Sequence, residues 1–505
     1  MASWHSLPKE LRDLVFGFVQ ESAASKKSKT HPLASCAVVC REWQGIFERA
    51  NFRSLQMIPD ELHMLDTVVK GPRRRYLRHF WLRVQLPKYS RDLVHVPESE
   101  EEQEANSLAF GTSVWAVFDI LSKWQVEELE MDRTWPGIEL EISVSSPSDK
   151  RRMLGEAGLD DYGGSRFLDS EVDMLLDEVP ELLGTQGLPE VHVVSRFSIL
   201  RRNFRSISPR ATLILLLSLP RVKQTFLEPW SHFDPEDSRV RAEELSFQLA
   251  LWPPTLRKVT IFENVANFKM SDEDVMDLKE RCPLLGRNLA RLSLQLEDLS
   301  VSRVADAKHF FAPFLKPSLR PPLPQWKSLR CLTLSSTLIS PEEDHDKTNE
   351  LLRGAGSAAK CMPVLRIMEL YSAESRDGGL FRYVVGETMT LAKWESTWEF
   401  KVSDRVKDTW REVSHKHTRR DLVFYPEALV SNYRSPVKFI HHNLATVGNV
   451  LHPISSQDMV RRRGNRSTLW PDKPATDSTN VVLQPDYAAS LSALSRLMGS
   501  GKPTV

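Results

Sequence analysis

Residues 327–336 read KSLRCLTLSS, and residues 363–372 read PVLRIMELYS. In both stretches, apolar residues recur first three and then two positions apart, at Leu329, Leu332 and Leu334 and at Leu365, Met368 and Leu370. A spacing of two places side chains on the same face of a strand. The pattern therefore predicts short, buried strands that recur along the chain.

The same three-then-two spacing occurs at five further places. These begin at Leu77, Val126, Leu188, Leu256 and Leu289. The motif resembles the strand segment of leucine-rich repeats, without the asparagine that usually follows it. Successive starts are irregular, from 33 residues apart between Leu256 and Leu289 to 68 residues apart between Leu188 and Leu256.

Helices are expected between these strands. One is predicted from Asn349 to Met362, where a proline follows, and another from Ser271 to Cys282. A unit of one helix and one strand has a single apolar side, so stacked units would share a continuous core. The predicted fold class is α/β, with an N-terminal helical module followed by an irregular leucine-rich-repeat-like solenoid. A compact α/β domain with a mostly parallel sheet is the alternative, because it produces the same alternation.

The repeat-like domain is assigned to residues 53–425, and its last unit contains Trp394 and Trp410. Three stretches are predicted as loops on its rim: the acidic residues 98–104, the glycine-bearing residues 160–166 and the proline-rich residues 317–324. Residues 426–460 are predicted as a C-terminal helical cap. Residues 461–505, rich in Arg, Ser, Thr, Asp and Pro, are predicted as a disordered tail.

The composition is that of a globular protein, with 505 residues of which 41% are apolar and 27% charged. Lys plus Arg and Asp plus Glu both number 67, so no net charge attracts nucleic acid, and none is expected as a partner. The apolar run at residues 211–219 is about half of the ~20 residues that a membrane-spanning helix needs. No secretory signal pattern is present at the start, so a cytoplasmic or nuclear location is expected.

Sequence patterns that could indicate a metal, cofactor or phosphate-binding site are weak. The five cysteines form no CxxC pair, so neither a zinc site nor a disulfide framework is expected. Gly354 and Gly356 match part of a dinucleotide fingerprint, but a predicted helix runs through them instead of starting there. The acidic residues 342–346 and the arginines at 73–75 and 461–463 are interpreted as solvated surface, with phosphate binding or nuclear import as alternatives for the arginines.

We therefore predict no catalytic residue, no cofactor and no metal site. A serine nucleophile elbow of the form Gly-x-Ser-x-Gly is also missing from the sequence. The chain is not expected to be an enzyme, although an enzyme with a cryptic active site is kept as an alternative.

The first fifty residues contain two short amphipathic patterns. Apolar residues three and four positions apart define the first face: Leu7, Leu11, Leu14, Val15, Phe18 and Val19. The second face consists of Leu33, Cys36, Ala37, Cys40, Trp43 and Phe47. So short a segment cannot bury two apolar faces within itself. Periodicity alone leaves open whether the two helices pack onto the rest of the chain or bind a partner.

The residue identities resemble the F-box motif. The matching positions are Leu7-Pro8-x-Glu10-Leu11 with Leu14 and Val15, and then Leu33 with Val39-Cys40-Arg41-x-Trp43. The resemblance covers residues 4–50, and the F-box is assigned to residues 1–52. The linker between its halves, residues 21–32, is longer and more basic than is usual in the family.

The resemblance implies that the module binds a Skp-type adaptor and, through it, a cullin. Carried over position by position, the adaptor-binding residues would be Leu7, Pro8, Leu11, Leu14, Val39 and Trp43. Phe18 and Phe47 could instead form the module's own core. Burial of helices in a groove of the adaptor is the expected mode.

The layout resembles fungal F-box proteins with degenerate leucine-rich repeats. It implies a substrate-recognition subunit of an SCF-type ubiquitin ligase, with an unknown target held on the concave face of the solenoid. An adaptor-binding scaffold or regulatory protein that does not direct degradation is the alternative.

Overall fold

The computed structural model describes most of the chain. The described residues are 4, 7–25, 32–90, 92–93, 96–126, 135–149, 171–174, 187–203, 205–231, 235–264, 282–315, 323–373, 377–425, 428–429 and 436–461. No helix within these ranges is both long and apolar enough to cross a membrane.

The described residues contain fifteen strands. They are β1 Ser54–Met57, β2 His79–Gln85, β3 Ile138–Ser145, β4 Glu171–Val172, β5 Val194–Ile199, β6 Ser206–Ile207, β7 Gln224–Leu227, β8 Lys258–Phe262, β9 Asp298–Ser302, β10 Cys331–Ser335, β11 Ile367–Ala373, β12 Gly378–Val385, β13 Thr390–Ser396, β14 Leu422–Phe424 and β15 Ala428–Leu429.

Sixteen α-helices lie in the same ranges. They are α1 Lys9–Ser25, α2 Pro32–Cys36, α3 Arg41–Asn51, α4 Leu62–Thr67, α5 Pro72–Tyr76, α6 Glu100–Ser122, α7 Pro209–Leu217, α8 Pro235–Gln248, α9 Pro283–Leu292, α10 Ala307–Phe310, α11 Ala312–Leu315, α12 His345–Ala359, α13 Asp404–Thr418, α14 Pro436–Asn443, α15 Val447–Val450 and α16 Pro453–Arg461.

Thirteen of the described strands form one sheet, and their order in the sheet follows their order in the chain. The order is β1-β2-β3-β5-β7-β8-β9-β10-β11-β12-β13-β14, with β15 beside β13, while β4 and β6 pair separately. Neighbours are parallel except where β12 pairs antiparallel with β11 and β13. The fold is therefore a mixed α/β fold built on a large, mostly parallel sheet.

The two faces of the sheet differ in chemistry. In β3, Leu140 and Ile142 point into the main apolar core, and Glu139 and Glu141 point to the opposite face. Crossovers between parallel strands are almost always right-handed, so strands added in chain order place their helices on one side. Consecutive helices α7 to α9 and α11 to α13 accordingly pack beside each other. We call this side the helix face and the other side the second face.

The second face is covered by residues 436–461, which we call the C-terminal segment. In this segment, α14 contacts β11 and β12, and α15 contacts β8 and β9. A second buried apolar cluster forms there from Phe262, Tyr371, Ala373 and Leu380 of the sheet and Phe439, Ile440, Leu444, Val450, Leu451 and Met459 of the segment. The residues predicted as a helical cap thus lie across a face of the sheet.

Four of the seven strand predictions are confirmed. The motifs that begin at Leu77, Leu256, Leu329 and Leu365 correspond to β2, β8, β10 and β11. The motif at Val126 runs into residues 127–134, which lie outside the described residues.

Two strand predictions are wrong. The motif at Leu289 lies mostly in helix α9, because apolar residues three and four apart also form a helical face, and the strand β9 follows at Asp298–Ser302. The motif at Leu188 precedes its strand, since β5 begins only at Val194.

The predicted loop at residues 98–104 is also wrong, because helix α6 begins there. The amide N–H of Glu102 donates to Ser99 Oγ at 3.3 Å, and the amide N–H of Ser99 donates to Glu102 Oε2 at 3.0 Å. This is a capping box, and the acidic residues of the first turn favour the positive end of the helix dipole.

The remaining predicted elements have mixed outcomes. The helix predicted from Asn349 is confirmed as α12, and the helix of the last unit, with Trp410, is confirmed as α13. Other predictions fall outside the described residues: the helix from Ser271, the loop at 160–166, most of the loop at 317–324, and the tail beyond residue 461.

Candidate functional site

An aromatic cluster holds the N-terminal module together. The ring centroid of Phe16 on α1 lies 5.3 Å from that of Trp43 and 5.8 Å from that of Phe47, both on α3. Trp4 closes the cluster, 5.5 Å from Phe16 and 5.6 Å from Trp43. Phe16 and Phe47 are buried. Edge-to-face pairs at these distances add to the burial energy, so the cluster fixes α1 against α3.

Polar contacts reinforce the same pair of helices. Glu42 on α3 accepts a hydrogen bond from Trp4 Nε1 at 2.9 Å and forms an ion pair with Arg12 on α1. Asn51, at the end of α3, donates to the carbonyl of Leu33 in α2 at 3.2 Å. The three helices therefore form one small unit with its own interior.

One arginine fastens this unit to the rest of the protein, and the next arginine in the sequence packs outside the unit. Arg73 on α5 lies 2.6 Å from Glu48 on α3 and stacks over Phe52 at 4.9 Å. Its hydrogen bond holds the pKa of Glu48 below the usual value. Arg74 stacks over Trp124 at 4.8 Å. These members of the arginine cluster at 73–75 thus make intramolecular contacts.

The module exposes apolar side chains on its outer side. Leu11, Leu14 and Phe18 on α1 are 47%, 56% and 66% exposed, at spacings of three and four that place them on one helical face. Val38 and Val39, in the turn before α3, are 83% and 61% exposed. We call these five residues the apolar surface. Exposed apolar residues on so small a unit are typical of a protein-binding site.

The six predicted adaptor-binding residues do not all lie in the same environment. Leu11, Leu14, Val39 and Pro8 are exposed, and Leu7 is half-buried. Trp43 is also half-buried, because one side of it packs in the aromatic cluster.

Of the two residues that could instead form the core, Phe47 is buried and Phe18 is exposed. Sequence reasoning missed Val38. The sequence feature that could have identified Val38 is its position next to Val39, since neighbouring side chains cannot both face the same interior.

The second face carries buried charges that sequence reasoning did not identify. Glu139 lies 2.9 Å from His452 Nε2 and 3.6 Å from Arg196 Nε, and it accepts a hydrogen bond from Ser198 at 2.9 Å. Burial alone would raise the pKa of Glu139, but the charges of His452 and Arg196 outweigh it and hold the pKa below the usual value. The sequence feature that could have identified these charges is the alternation of Glu with apolar residues in β3. A buried charge needs a partner, so each of these glutamates had to have one.

Glu141, the second carboxylate of β3, pairs with the guanidinium of Arg202 through both its oxygens. It also lies 2.9 Å from His79 Nε2, whose Nδ1 is 2.9 Å from Ser54 Oγ. Burial opposes ionisation of Glu141, but Arg202 and His79 together lower its pKa. Serine, histidine and carboxylate here link the edge strand β1 to β2 and β3, and Arg202 already balances the carboxylate charge.

Glu228, just after β7, binds the start of helix α16. It accepts from the amide N–H of His452 at 2.8 Å, from the hydroxyl of Ser455, and from the amide N–H of Arg201 at 2.9 Å. Burial raises the pKa of Glu228. The ring of His452 meets the ring of Phe226 edge-on, with centroids 4.8 Å apart.

Glu369 on β11 binds the start of helix α15 in the same way. Its two oxygens accept from the amide N–H groups of Ala445 and Thr446, each at 3.0 Å, and from the Thr446 hydroxyl. Arg382 on β12 balances the charge with Nε at 2.5 Å and donates to the carbonyl of Asn443. A carboxylate at a helix N-terminus is favourable, so Glu228 and Glu369 both hold the C-terminal segment on the sheet.

Metal ligation has no support within the described ranges, where no group of three or more His, Cys, Asp or Glu side chains could hold an ion.

Comparison with known protein families gives a match in the second half of the chain. A family model described as a family of unknown function, DUF6546, matches residues 251–452, which is less than half of the chain. The matched residues include β8 to β14, α14, α15 and His452, and they exclude the N-terminal module. No F-box or leucine-rich-repeat family model matches. None of the curated proteins matches the chain.

Proposed function

We propose that the chain is the substrate-recognition subunit of an SCF-type ubiquitin ligase, and that its N-terminal module binds a Skp-type adaptor and, through it, a cullin. The observation that supports this most is the exposure of Leu11, Leu14 and Val39, which match apolar positions of the F-box motif. Phe16 and Phe47 fill the module's interior, so the exposed side chains are not needed for its own core.

A receptor of this kind works by tethering. The adaptor would hold the N-terminal module, the large α/β domain would hold a target protein, and other subunits would supply the ubiquitin-loaded enzyme. Tethering raises the effective concentration of target lysines near that enzyme, so the receptor itself needs no nucleophile. The function proposed is therefore non-catalytic and uses no cofactor.

For the large domain we propose an irregular leucine-rich-repeat-like solenoid. In its support, strand order follows chain order from β1 to β11, every neighbouring pair in that range is parallel, and consecutive helices pack beside each other. The antiparallel strands β12 and β13 depart from the pattern. Stacked repeats would give the domain a long surface for a protein target.

One observation favours the alternative, an adaptor-binding scaffold that does not direct degradation. The second face of the sheet, where a solenoid would hold a target, is covered by the C-terminal segment. A chain whose target surface stayed covered would bind the adaptor without recruiting a target.

Affinity capture of the full chain tests the proposal. We expect the wild type to capture both adaptor and cullin, and the double variant Leu7→Ala, Pro8→Ala to lose both. Leu217→Ala is the matched control, because Leu217 is also an exposed leucine, 51% accessible, but lies on α7. Capture of adaptor without cullin would favour the scaffold. Full retention of adaptor by the double variant would contradict the assigned surface.

A further inference from the structure

The contacts between the C-terminal segment and the sheet have a common chemistry. At three places the sheet supplies a carboxylate and the segment supplies the donors: Glu139 faces His452, Glu228 faces His452 and Ser455, and Glu369 faces Ala445 and Thr446. The donors are backbone N–H groups, hydroxyls and an imidazole. The carboxylates of the second face thus hold the chain's own segment by accepting hydrogen bonds from it.

Among the described residues, the segment leaves a buried hydroxyl group of the sheet without a hydrogen-bond partner. Thr260, Ser300 and Thr333 lie in register on three adjacent strands. Thr260 donates to the carbonyl of Asn449 at 2.8 Å, and the Thr333 hydroxyl lies 2.9 Å from that of Thr446. The hydroxyl of Ser300 between them is buried and has no hydrogen-bond partner among the described residues. An unpaired buried hydroxyl costs free energy, so a peptide that pairs with it would fit better.

We propose that the second face between β3 and β12 is a peptide-binding surface, that residues 436–461 occupy it in the isolated chain, and that its partner is a donor-rich, unphosphorylated helical segment of the target protein. The statement that the partner belongs to a target protein rests on the proposed function. It names the substrate class of the large domain.

The absence of phosphate from the partner follows from the charges at the contact points. A phosphate on a serine or threonine that meets Glu228 or Glu369 would place two negative charges beside a buried carboxylate. The cation nearest to Glu369, the guanidinium of Arg382, is already engaged by the carboxylate and by the carbonyl of Asn443. The phosphate would repel the carboxylate, and the phosphorylated hydroxyl could no longer donate a hydrogen bond to it. Both effects would weaken binding.

The probe for a test is a fluorescent synthetic peptide of residues 436–461, measured by anisotropy against the full chain. Thr446→Val with Ser455→Ala removes the two hydroxyls of the chain's own segment that contact Glu369 and Glu228, and it leaves the residues of the sheet unchanged. We expect this variant to bind the peptide at least 10-fold more tightly than the wild type. The same peptide phosphorylated at Thr446 should bind at least 10-fold more weakly than the unmodified peptide.

A disulfide between the segment and the sheet tests whether the segment must dissociate before the peptide can bind. Asn449 Nδ2 lies 3.3 Å from Cys331 Sγ, so Asn449→Cys places a second thiol within reach of the first. Added to the loosened variant and oxidised, with loss of free thiols confirmed by mass spectrometry, it should abolish peptide binding, and reduction should restore it. Binding by the oxidised form would overturn the proposal.

The remaining outcomes are also decisive. If the loosened variant keeps its circular dichroism spectrum but binds no peptide, the segment is a fixed part of the fold and the proposal fails. If the phosphorylated peptide binds as tightly as the unmodified one, the stated partner chemistry is wrong. Adaptor binding is measured in parallel and should not change in any variant, and a wild type that binds peptide but no adaptor would refute the proposed function alone.

Discussion

At the scale of single residues, neighbouring apolar side chains of the N-terminal module lie in different environments, some buried and some exposed. Phe16 and Phe47 are buried in the aromatic cluster, whereas Leu14 and Phe18, on the same helix as Phe16, face solvent. Periodicity predicted α1 correctly but treated α2 and α3 as a single helix. It also could not separate the two classes of side chain, because the helices carry more apolar residues than one interior can hold. The separation depends on which aromatic rings meet across α1 and α3.

A pair of substitutions tests this division. Phe47→Ala should lower the free energy of unfolding by about 3–5 kcal/mol, because it empties the centre of the cluster. Leu14→Ala should change it by less than about 0.5 kcal/mol, because that side chain is 56% exposed. Denaturant unfolding of both variants measures the difference. Similar losses in the two variants would show that Leu14 belongs to the core.

The buried His452 should make stability depend on pH. Burial alone would lower the pKa of His452, but the charge and hydrogen bond of Glu139 outweigh burial and raise the pKa above its ordinary value of 6.5. A raised pKa stabilises the folded state fully below the unfolded value, and this contribution is lost as the pH rises through the folded value.

We therefore expect the free energy of unfolding to fall as the pH is raised from 6.5 into the alkaline range. His452→Gln should remove most of this slope. The charges that act on the imidazole include those of Glu139, Glu228 and Glu141, and Arg196 pairs with Glu139. The raised pKa of Glu228 gives a slope of the same sign that begins at a lower pH, since the ordinary pKa of a glutamate is 4.5. Equal slopes for wild type and variant would contradict the role given to His452.

At the scale of elements, the strand spacing predicted the strand correctly where only the strand carries that spacing, and it was misleading where the preceding helix carries it too. The motifs at Leu329 and Leu365 fall on β10 and β11. The motif at Leu289 falls on α9, and the true strand carries the same spacing seven residues later, at Leu296, Leu299 and Val301. Spacing alone cannot decide which of two adjacent copies of the pattern is the strand, because three-residue steps suit a helix as well.

The close packing of α12 against α13 gives a test at this scale. A Cβ added at Gly356 would lie 2.8 Å from Thr409 Cγ2 and 3.2 Å from Trp410 Nε1, and Trp410 is fully buried. Gly356→Ala should therefore lower the free energy of unfolding by about 1–3 kcal/mol, although alanine favours helices. Thermal and denaturant unfolding measure the change.

Gly17 in α1 is the matched control. A Cβ at this position would have no atom within 4 Å. Gly17→Ala should raise the free energy of unfolding by about 0.5–1 kcal/mol, since only helix propensity changes. Stabilisation by both substitutions would show that α12 and α13 are not in close contact.

At the scale of the whole molecule, the covered second face could not be foreseen. It depends on contacts such as those of His452 with Glu139 and Glu228, which are separated by hundreds of residues along the chain. Local patterns predicted helices for residues 426–460 but contain no information on where they dock. Glu369 in β11 was a partial signal, because a charge in a central strand must find partners.

The attachment of the C-terminal segment can be tested through Glu369. Glu369→Ala would leave the guanidinium of Arg382 buried without its carboxylate and remove the acceptor at the start of α15. We expect a loss of about 3–5 kcal/mol in the free energy of unfolding. Glu343→Ala, which breaks an exposed pair with Lys347, should cost less than about 1 kcal/mol. A small loss at both positions would refute the anchoring role.

Binding of purified Skp-type adaptor to the full chain tests the central claim most directly. Calorimetry should give a one-to-one complex for the wild type, and Leu11→Ala with Leu14→Ala should weaken it at least about 100-fold, since each truncation removes apolar contact from the interface. The double variant should keep the wild-type unfolding midpoint. A wild-type chain that does not bind the adaptor, or a double variant that binds it as tightly as the wild type, would contradict the claim.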